Sequence, residues 1–276
     1  MGKEERMFKL LTVSSFLLIG AVAALAYDSQ DCVQHKDVDL EITACTVMIG
    51  RGGNVAWAYN NRGNAYRDTG DLDHAFADYA KAIETDPNFA DAYNNRGIAY
   101  SKKGDLDRAL ANFDKAIELD PKFAAAYNNR GVADGCGNPY TDKCDFDRVF
   151  ADFTKAIEFD PSYADAYNNR CWLRTLADRD LPLALADCAA AIRLAPSDAN
   201  SFDTRGFVNI RLNHLNEAIA DFDEALKMDP KLGSSLYGRG LAKQKSGDQT
   251  GGAADIAAAK AIRASIADEL GQYGLK

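Results

Sequence analysis

The chain has 276 residues, of which 47% are hydrophobic and 26% are charged, so it can bury a core and does not have the composition of a disordered protein. Its formal net charge is -9 at pH 7. An acidic chain is repelled by the phosphates of nucleic acids and by anionic membrane surfaces. Composition therefore argues against nucleic-acid binding and against electrostatic attachment to a membrane.

The N-terminal 26 residues have the organisation of a signal peptide. Residues 1–9 are weakly basic, residues 10–23 form an almost unbroken apolar run, and residues 24–26 read Ala-Leu-Ala, the small-x-small pattern that precedes cleavage sites. We predict cleavage after Ala26 and a periplasmic or secreted chain. The alternative is an uncleaved anchor, although the apolar run is at the short edge of what spans a bilayer.

Residues 27–55 follow in chain order. Their apolar residues recur at a helical spacing, at Leu40, Ile42, Cys45, Val47 and Ile49. We predict one helix here, a half-repeat that covers the start of the repeated region that follows.

The rest of the chain is built on an internal repeat. AYNNRG starts at residues 58, 92 and 126, and the variant AYNNRC starts at residue 166. A second motif, KAIExDP, ends at residues 87, 121 and 161, with weaker copies that end at 196 and 230. The first three copies of AYNNRG are 34 residues apart, and a fixed period of this length indicates a helical repeat array.

This pattern resembles the tetratricopeptide-repeat (TPR) family. The family's 34-residue unit has a large residue at position 4, small residues at 8, 20 and 27, aromatic residues at 11 and 24, and proline at 32. The first repeat supplies these as Tyr59, Gly63, Ala75, Ala82, Tyr66, Tyr79 and Pro87. Helical spacing places them on one face of each of two helices. Gly70 can end the first helix, and Asp71 or Asp73 can cap the second.

The resemblance implies six repeats of two helices each, which we call helix A and helix B. Their boundaries are 56–89, 90–123, 124–163, 164–198, 199–232 and 233–266, followed by a tail at 267–276. The implied fold is all-α: a right-handed TPR superhelix (α-solenoid) of six helix-turn-helix repeats with an N-terminal capping helix and a C-terminal solvating helix. Each helix pair leaves an apolar face that only the next pair covers, so stability comes from stacking.

All six cysteines follow the predicted cleavage site, and an even number in an exported chain favours disulfides. In repeat four, Cys171 stands at position 8 and Cys188, allowing for one extra residue in the turn, stands at position 24. These positions face each other in paired helices, so we expect the two cysteines to pair. Cys136 and Cys144 bracket a turn-forming insertion in repeat three, and a local disulfide there is the simplest interpretation. Cys32 then pairs with Cys45. Zinc is the alternative, but CxxC and HxxxH spacings are absent.

No catalytic constellation is evident in the sequence. The three histidines, His35, His74 and His214, are scattered. Aspartate pairs such as Asp71 and Asp73 are better explained by helix capping than by calcium, because they lack the Gly and Glu of an EF-hand loop. A phosphate-binding glycine loop and a nucleophile elbow are also absent. We therefore predict no enzymatic activity, no metal and no cofactor.

Paired asparagines mark helix A of the first four repeats. They stand at positions 5 and 6, with one further amide at position 9: Asn60, Asn61, Asn94, Asn95, Asn128, Asn129, Asn168, Asn169 and Asn64. In the TPR family these positions commonly point into the concave groove. Because Asn is a mediocre helix former and its amide both donates and accepts, we predict that these residues bind an extended peptide. The alternative is that one Asn of each pair bonds to the neighbouring repeat.

Arginine recurs at position 7 of all six repeats: Arg62, Arg96, Arg130, Arg170, Arg205 and Arg239. We predict an inter-repeat structural role for them, with salt bridges to the acidic turns. Position 5 lacks the Lys or Arg of family modules that clamp acidic C-terminal tails, so that function is not carried over.

Together these features predict a periplasmic or secreted adaptor that binds a protein or an extended peptide in its concave groove. Nucleic acid is not an expected partner, and a membrane is one only if the N-terminal segment is uncleaved. The alternative is a structural component of a cell-envelope assembly that uses its edges and the loop of repeat three. The sequence does not identify the partner.

Overall fold

The computed structural model describes residues 29–33, 37–53, 55–134 and 145–275. Within these ranges every regular element is a helix. The helices are α1 (Val38–Arg51), α2 (Ala56–Asp68), α3 (Leu72–Thr85), α4 (Ala90–Lys103), α5 (Leu106–Leu119), α6 (Ala124–Ala133), α7 (Phe146–Phe159), α8 (Ala164–Ala177), α9 (Leu181–Leu194), α10 (Ala199–Arg211), α11 (Leu215–Met228), α12 (Gly233–Ser246), α13 (Gln249–Ile262) and α14 (Ile266–Gly271). The predicted signal peptide, His35, Cys136 and Cys144 lie outside the described residues.

The chain divides into two compact units, Met1–Pro121 and Lys122–Lys276. The first unit contains α1–α5 and the second contains α6–α14. Within each unit every helix packs against the next one along the chain, and helix A of one repeat also contacts helix A of the next. Each unit is therefore a stack of helix pairs, which confirms the predicted all-α repeat fold.

Aspartates begin many of the B helices. Asp71 accepts a hydrogen bond from the backbone N–H of His74 at 3.2 Å, so Asp71 and not Asp73 is the cap. Equivalent caps stand at Asp105, Asp145 and Asp248. Such a cap stabilises a helix by about 1 kcal/mol. The turn before α3 passes through Gly70 at φ 85°, a left-handed conformation that glycine adopts without strain.

Close approach of paired helices explains the small residue at position 8. A Cβ atom added to Gly63 would lie 2.8 Å from the ring of Tyr79 at position 24, and one added to Gly97 would lie 2.6 Å from the ring of Phe113. Repeats three and five have the same contact, Gly131 with Phe153 and Gly206 with Phe222. The aromatic ring thus fills the space that the glycine leaves open.

Repeat four replaces this glycine–aromatic contact with two cysteines. Cys171 and Cys188 are both fully buried, with Cα atoms 5.6 Å apart and Sγ atoms at bonding distance. Cys32 and Cys45, in the segment before repeat one, are placed in the same way, with Cα atoms 4.7 Å apart. The structure therefore brings together the cysteines of two of the three expected pairs.

Five of the six position-7 arginines pair with aspartates of helix B, whereas Arg96 in repeat two bonds to Asn112. In repeat one, Nε and Nη2 of Arg62 donate to the two carboxylate oxygens of Asp78 at 2.8 and 2.7 Å. The other pairs are Arg130–Asp152, Arg170–Asp187, Arg205–Asp221 and Arg239–Asp255. The prediction of salt bridges to the acidic turns was wrong, because helix B approaches position 7 more closely than the turns do.

These arginines also reach the preceding repeat or cap. Nη1 of Arg62 donates to the hydroxyl of Thr46 on α1 at 2.8 Å, and Nη1 of Arg170 donates to Thr154 on α7 at 3.3 Å. In repeat six, Nη1 of Arg239 pairs with Asp223 on α11 at 2.7 Å. In these repeats one guanidinium therefore joins its own helix pair and bonds to the helix before it.

Candidate functional site

The paired asparagines bond to one another between repeats. Asn60 and Asn128 at position 5 are 4% and 5% exposed. Nδ2 of Asn95 at position 6 donates to Oδ1 of Asn60 at 3.0 Å, and Nδ2 of Asn169 donates to Oδ1 of Asn128 at 2.9 Å. Position 6 of one repeat is thus linked to position 5 of the repeat before it. Some of the hydrogen bonds that these asparagine side chains can form therefore join successive A helices.

Other predicted contact residues have further internal partners. Oδ1 of Asn61 accepts from Nδ2 of Asn60 at 3.3 Å. Oδ1 of Asn64 accepts from the hydroxyl of Tyr79 at 2.8 Å and from Nη1 of Arg67 at 3.2 Å. These oxygens are therefore already used inside the fold. Residues at position 6 nevertheless remain partly exposed, so they retain surface that a ligand can contact.

Unit 2 contains a cavity of about 550 Å³. Repeats four and five supply most of its lining from family positions 2, 5, 6 and 9, the positions expected to line the groove. These residues are Asp165, Asn168, Asn169, Trp172, Asn200, Asp203, Thr204 and Phe207. Asn128, Asp198, Ser234, Arg263 and Leu270 complete it. The volume is in the range of cavities that hold small ligands or side chains.

Sequence reasoning named only Asn128, Asn168 and Asn169 from this lining. A signal for the others was present in repeat five, where AYNNRG is replaced by SFDTRG and where Asp203 replaces the asparagine of position 5. Packing does not require a carboxylate at that position. Asp203 could therefore have been predicted as a site residue from the sequence, but the prediction considered only the repeated asparagines.

The C-terminal segment contributes Leu270 to the cavity lining. The expected terminal helix is α14, and Ile266, Leu270 and Leu275 are buried in a cluster with Phe207 and residues of repeat six. Further along, the ring of Tyr273 lies 6.3 Å from the ring of Trp172 in repeat four. The segment therefore lies against position 9 of repeats four and five.

The cavity contains a carboxylate in a desolvated setting. Asp203 accepts a hydrogen bond from the hydroxyl of Ser235 at 2.5 Å. Burial raises the pKa of Asp203 to about 6, against the lowering effect of the hydrogen bonds from Ser235 and Ser234. Asp198, by contrast, accepts from the backbone N–H groups of Asn200 and Ser201 as the cap of α10. Asp203 is therefore bonded by two hydroxyl groups, whereas Asp198 is bonded by backbone N–H groups.

The described residues lack the features of a metal site and of a membrane span. In this part of the chain, no group of three or more His, Cys, Asp or Glu side chains is arranged to hold a metal ion. The same residues include no helix with the length and apolar character needed to cross a membrane.

Family models match three stretches of the chain. Residues 63–104 match a model described as TPR repeat. Residues 90–123 and 199–232 match models described as tetratricopeptide repeat. No curated protein sequence matches the chain at a significant level.

Solved structures of repeat proteins have a similar fold. YrrB, a TPR protein with an unusual peptide-binding site, is 23% identical over 70% of this chain and 96% of its own, with a TM-score of 0.52. A tetratricopeptide repeat protein from Parabacteroides merdae is 17% identical over 89% and 96%, with a TM-score of 0.62. PilW, a widely conserved type IV pilus biogenesis factor, is 20% identical over 80% and 98%, with a TM-score of 0.66. At these identities the likeness concerns the fold alone.

Proposed function

Because the chain belongs to the tetratricopeptide-repeat family, we propose that it binds an extended segment of a partner protein in the cavity of repeats four and five. TPR domains are generally non-catalytic scaffolds that bind proteins or peptides. The partner segment contacts repeats four and five, and we propose no reaction for the chain.

One observation carries this proposal. The groove positions 2, 5, 6 and 9 of two successive repeats line the same cavity. The lining combines amides and carboxylates with the half-buried aromatic side chain of Trp172, which packs on the buried Phe207. Binding sites of this kind use apolar surface for affinity and a few polar groups for orientation. YrrB, whose fold is similar, has a peptide-binding site by its own description.

The predicted asparagine strip remains part of the proposal in a reduced form. Asn168 and Asn169 belong to the cavity. Asn61, Asn95 and Asn129 are proposed as contacts for a partner segment through their partly exposed surface. Asn60, Asn94, Asn128 and Asn64 are assigned to supporting these contacts, because position 5 is buried and Asn64 is hydrogen-bonded internally.

The test compares two identical substitutions on unit 2. Asn200→Tyr places a ring at position 2 inside the cavity lining, whereas Asn216→Tyr places the same ring on the exposed surface of α11. Peptides selected from a displayed random library on the native chain are titrated against both variants by calorimetry. Loss of binding to Asn200→Tyr alone supports the cavity. Equal binding by both variants contradicts it.

The asparagine strip has its own test. A variant with Asn61, Asn95, Asn129 and Asn169 changed to Ala is titrated with the same peptides. We expect weaker binding with an unchanged fold by circular dichroism. Unchanged affinity would remove the strip from the proposal and leave the cavity lining in place.

We also propose that the chain is exported and that its cysteines are oxidised in pairs. The signal-peptide pattern, the bonding distance within two cysteine pairs and the structural likeness to PilW support export to the cell envelope. The test is intact and peptide mass spectrometry of the secreted or periplasmic fraction. A mature N-terminus at Tyr27 with no free thiols supports the proposal. Full-length, reduced protein contradicts it.

The second candidate is a structural component of an envelope assembly that uses its edges and the repeat-three loop. The likeness to PilW, a type IV pilus biogenesis factor, is the observation that favours it. In that case Asn200→Tyr leaves assembly in cells unaffected, whereas deletion of residues 136–144 disrupts it. The opposite result favours the adaptor.

A further inference from the structure

Two hydrogen-bond acceptors in the cavity are available for a donor. In the described part of the chain, no Lys, Arg or His forms an ion pair with Asp203, whose hydrogen-bond donors are the hydroxyls of Ser234 and Ser235. Oδ1 of Asn168 is buried and has no hydrogen-bond partner among the described residues. Both residues line the same cavity. A buried acceptor without a donor is costly, so the complementary ligand group is one that donates.

The charged residues of the lining also favour a cationic ligand. Asp165, Asp198 and Asp203 face a single cation, Arg263. Arg263 has a half-exposed side chain and pairs with Glu269 at 3.3 Å, so its charge is partly neutralised by a residue of its own segment. The cavity is therefore acidic, within a chain that is itself acidic, and this attracts cationic groups.

The apolar walls suit the remainder of a long basic side chain. Trp172 is half-buried and lies edge-on to the fully buried Phe207, with ring centroids 5.8 Å apart, so Trp172 is the aromatic surface of the lining that a ligand can contact. Aromatic surface packs against the methylene stem of lysine or arginine and attracts the cationic head. A neutral donor would not form an ion pair with the carboxylates of the lining.

From these three observations we propose that the cavity receives a basic side chain of the partner segment, whose ammonium or guanidinium group pairs with Asp203 and donates to Oδ1 of Asn168. This inference rests on the proposed function, since it identifies the chemistry of the segment that the cavity binds. The methylene stem lies against Trp172. Lysine and arginine share this chemistry, and the experiment distinguishes them.

The first measurement is the composition of peptides selected on the native chain. We expect a lysine or arginine at one fixed position in the selected set, and its replacement by norleucine to weaken binding about tenfold or more, as for a charge-assisted hydrogen bond. Comparison of lysine and arginine versions decides which head group fits. Peptides that bind in the cavity but tolerate norleucine would overturn this inference and leave the proposed function intact.

Two substitutions test the named acceptors. Asp203→Asn keeps the shape and removes the charge, and we expect it to abolish the preference for the basic peptide over its norleucine analogue. Asn168→Asp adds a carboxylate beside the ligand and is expected to strengthen binding of the basic peptide. Asp147→Asn, on an exposed residue of α7 outside the cavity, is the control for the same change in net charge.

The pH dependence of peptide binding distinguishes an ion pair with Asp203 from a fit that depends on shape alone. Because the pKa of Asp203 is raised to about 6 in the free protein, its carboxylate protonates as pH falls through 6. Asp165, Asp198 and Arg263 are the other charged groups that line the cavity. Binding of the basic peptide is expected to weaken from pH 7 to pH 5 and the norleucine analogue to show no such change. A flat profile for both peptides, together with unaltered selectivity in Asp203→Asn, would overturn the proposal.

Discussion

Repeat two carries Asn112 where the other repeats have a carboxylate paired with the position-7 arginine. Asn112 is 8% exposed, accepts from Nε of Arg96 at 2.8 Å and donates to the backbone oxygen of Arg108 at 2.7 Å. In repeat one, Asp78 instead accepts two hydrogen bonds from Arg62. The chain therefore contains a neutral and a charged version of the same contact within unit 1, and the two can be exchanged.

We expect Asn112→Asp to stabilise unit 1 and Asp78→Asn to destabilise it. A hydrogen bond to a charged group contributes about 1.5–3 kcal/mol and a neutral one about 0.5–1.5 kcal/mol. Asn112→Asp gains one charged bond but loses the bond to Arg108 and incurs desolvation of the carboxylate, so the net gain is about 1 kcal/mol. Asp78→Asn leaves the half-buried guanidinium of Arg62 with a weaker partner, at a cost of about 2 kcal/mol.

Urea unfolding at pH 7, followed by far-ultraviolet circular dichroism, measures both changes. The control for Asp78→Asn is Asp107→Asn, because Asp107 is exposed in the first turn of α5 and its neutralisation changes the net charge in the same way. If Asn112→Asp lowers the urea midpoint while Asp78→Asn leaves it unchanged, the carboxylate does not stabilise this position. The hydrogen bond from Asn112 to Arg108 would then be the more important contact.

Three further substitutions probe the packing. Gly97→Ala is expected to destabilise by about 1–2 kcal/mol in urea unfolding, because its Cβ would lie 2.6 Å from the ring of Phe113 and overpacking outweighs the helix-propensity gain. Leu275→Ala should lower stability by about 2 kcal/mol and accelerate amide exchange in the C-terminal segment, since Leu275 is 1% exposed. Removing a Cys171–Cys188 bond by Cys171→Ser should cost about 3 kcal/mol in unfolding experiments, from the chain entropy of a 17-residue separation.

Each of these predictions has a control. Gly50 in α1 has no atom near the position of an added Cβ, so Gly50→Ala should be neutral or stabilising. Leu183 is 53% exposed, and Leu183→Ala should change little. For the cysteines, equal urea midpoints with and without a reductant would contradict the expected contribution of the bond.

Much of the fold follows from the sequence because TPR contacts are local. Positions 8 and 24 meet inside a single helix pair, so the period of 34 residues predicts that Gly63 faces Tyr79 and that Cys171 faces Cys188. Caps such as Asp71 depend on backbone groups only three residues away. Contacts of this kind are repeated in each unit and need no knowledge of distant parts of the chain.

The candidate site required the tertiary structure. The sequence indicated which positions line a groove and left open whether one Asn of each pair bonds to the neighbouring repeat. The structure shows that Asn95 is hydrogen-bonded to Asn60 and that Oδ1 of Asn168 has no donor among the described residues. Both depend on side-chain distances between successive A helices, and identical motifs give no measure of those distances.

The sequence by itself determined the repeat, its helix boundaries in outline and the pairing of position 8 with position 24. Only the tertiary structure placed the buried side chains of the C-terminal segment against repeats five and six and Tyr273 beside Trp172. Periodic packing is encoded within each 34-residue unit. Docking of the terminal segment instead depends on a surface that exists only after the repeats have stacked.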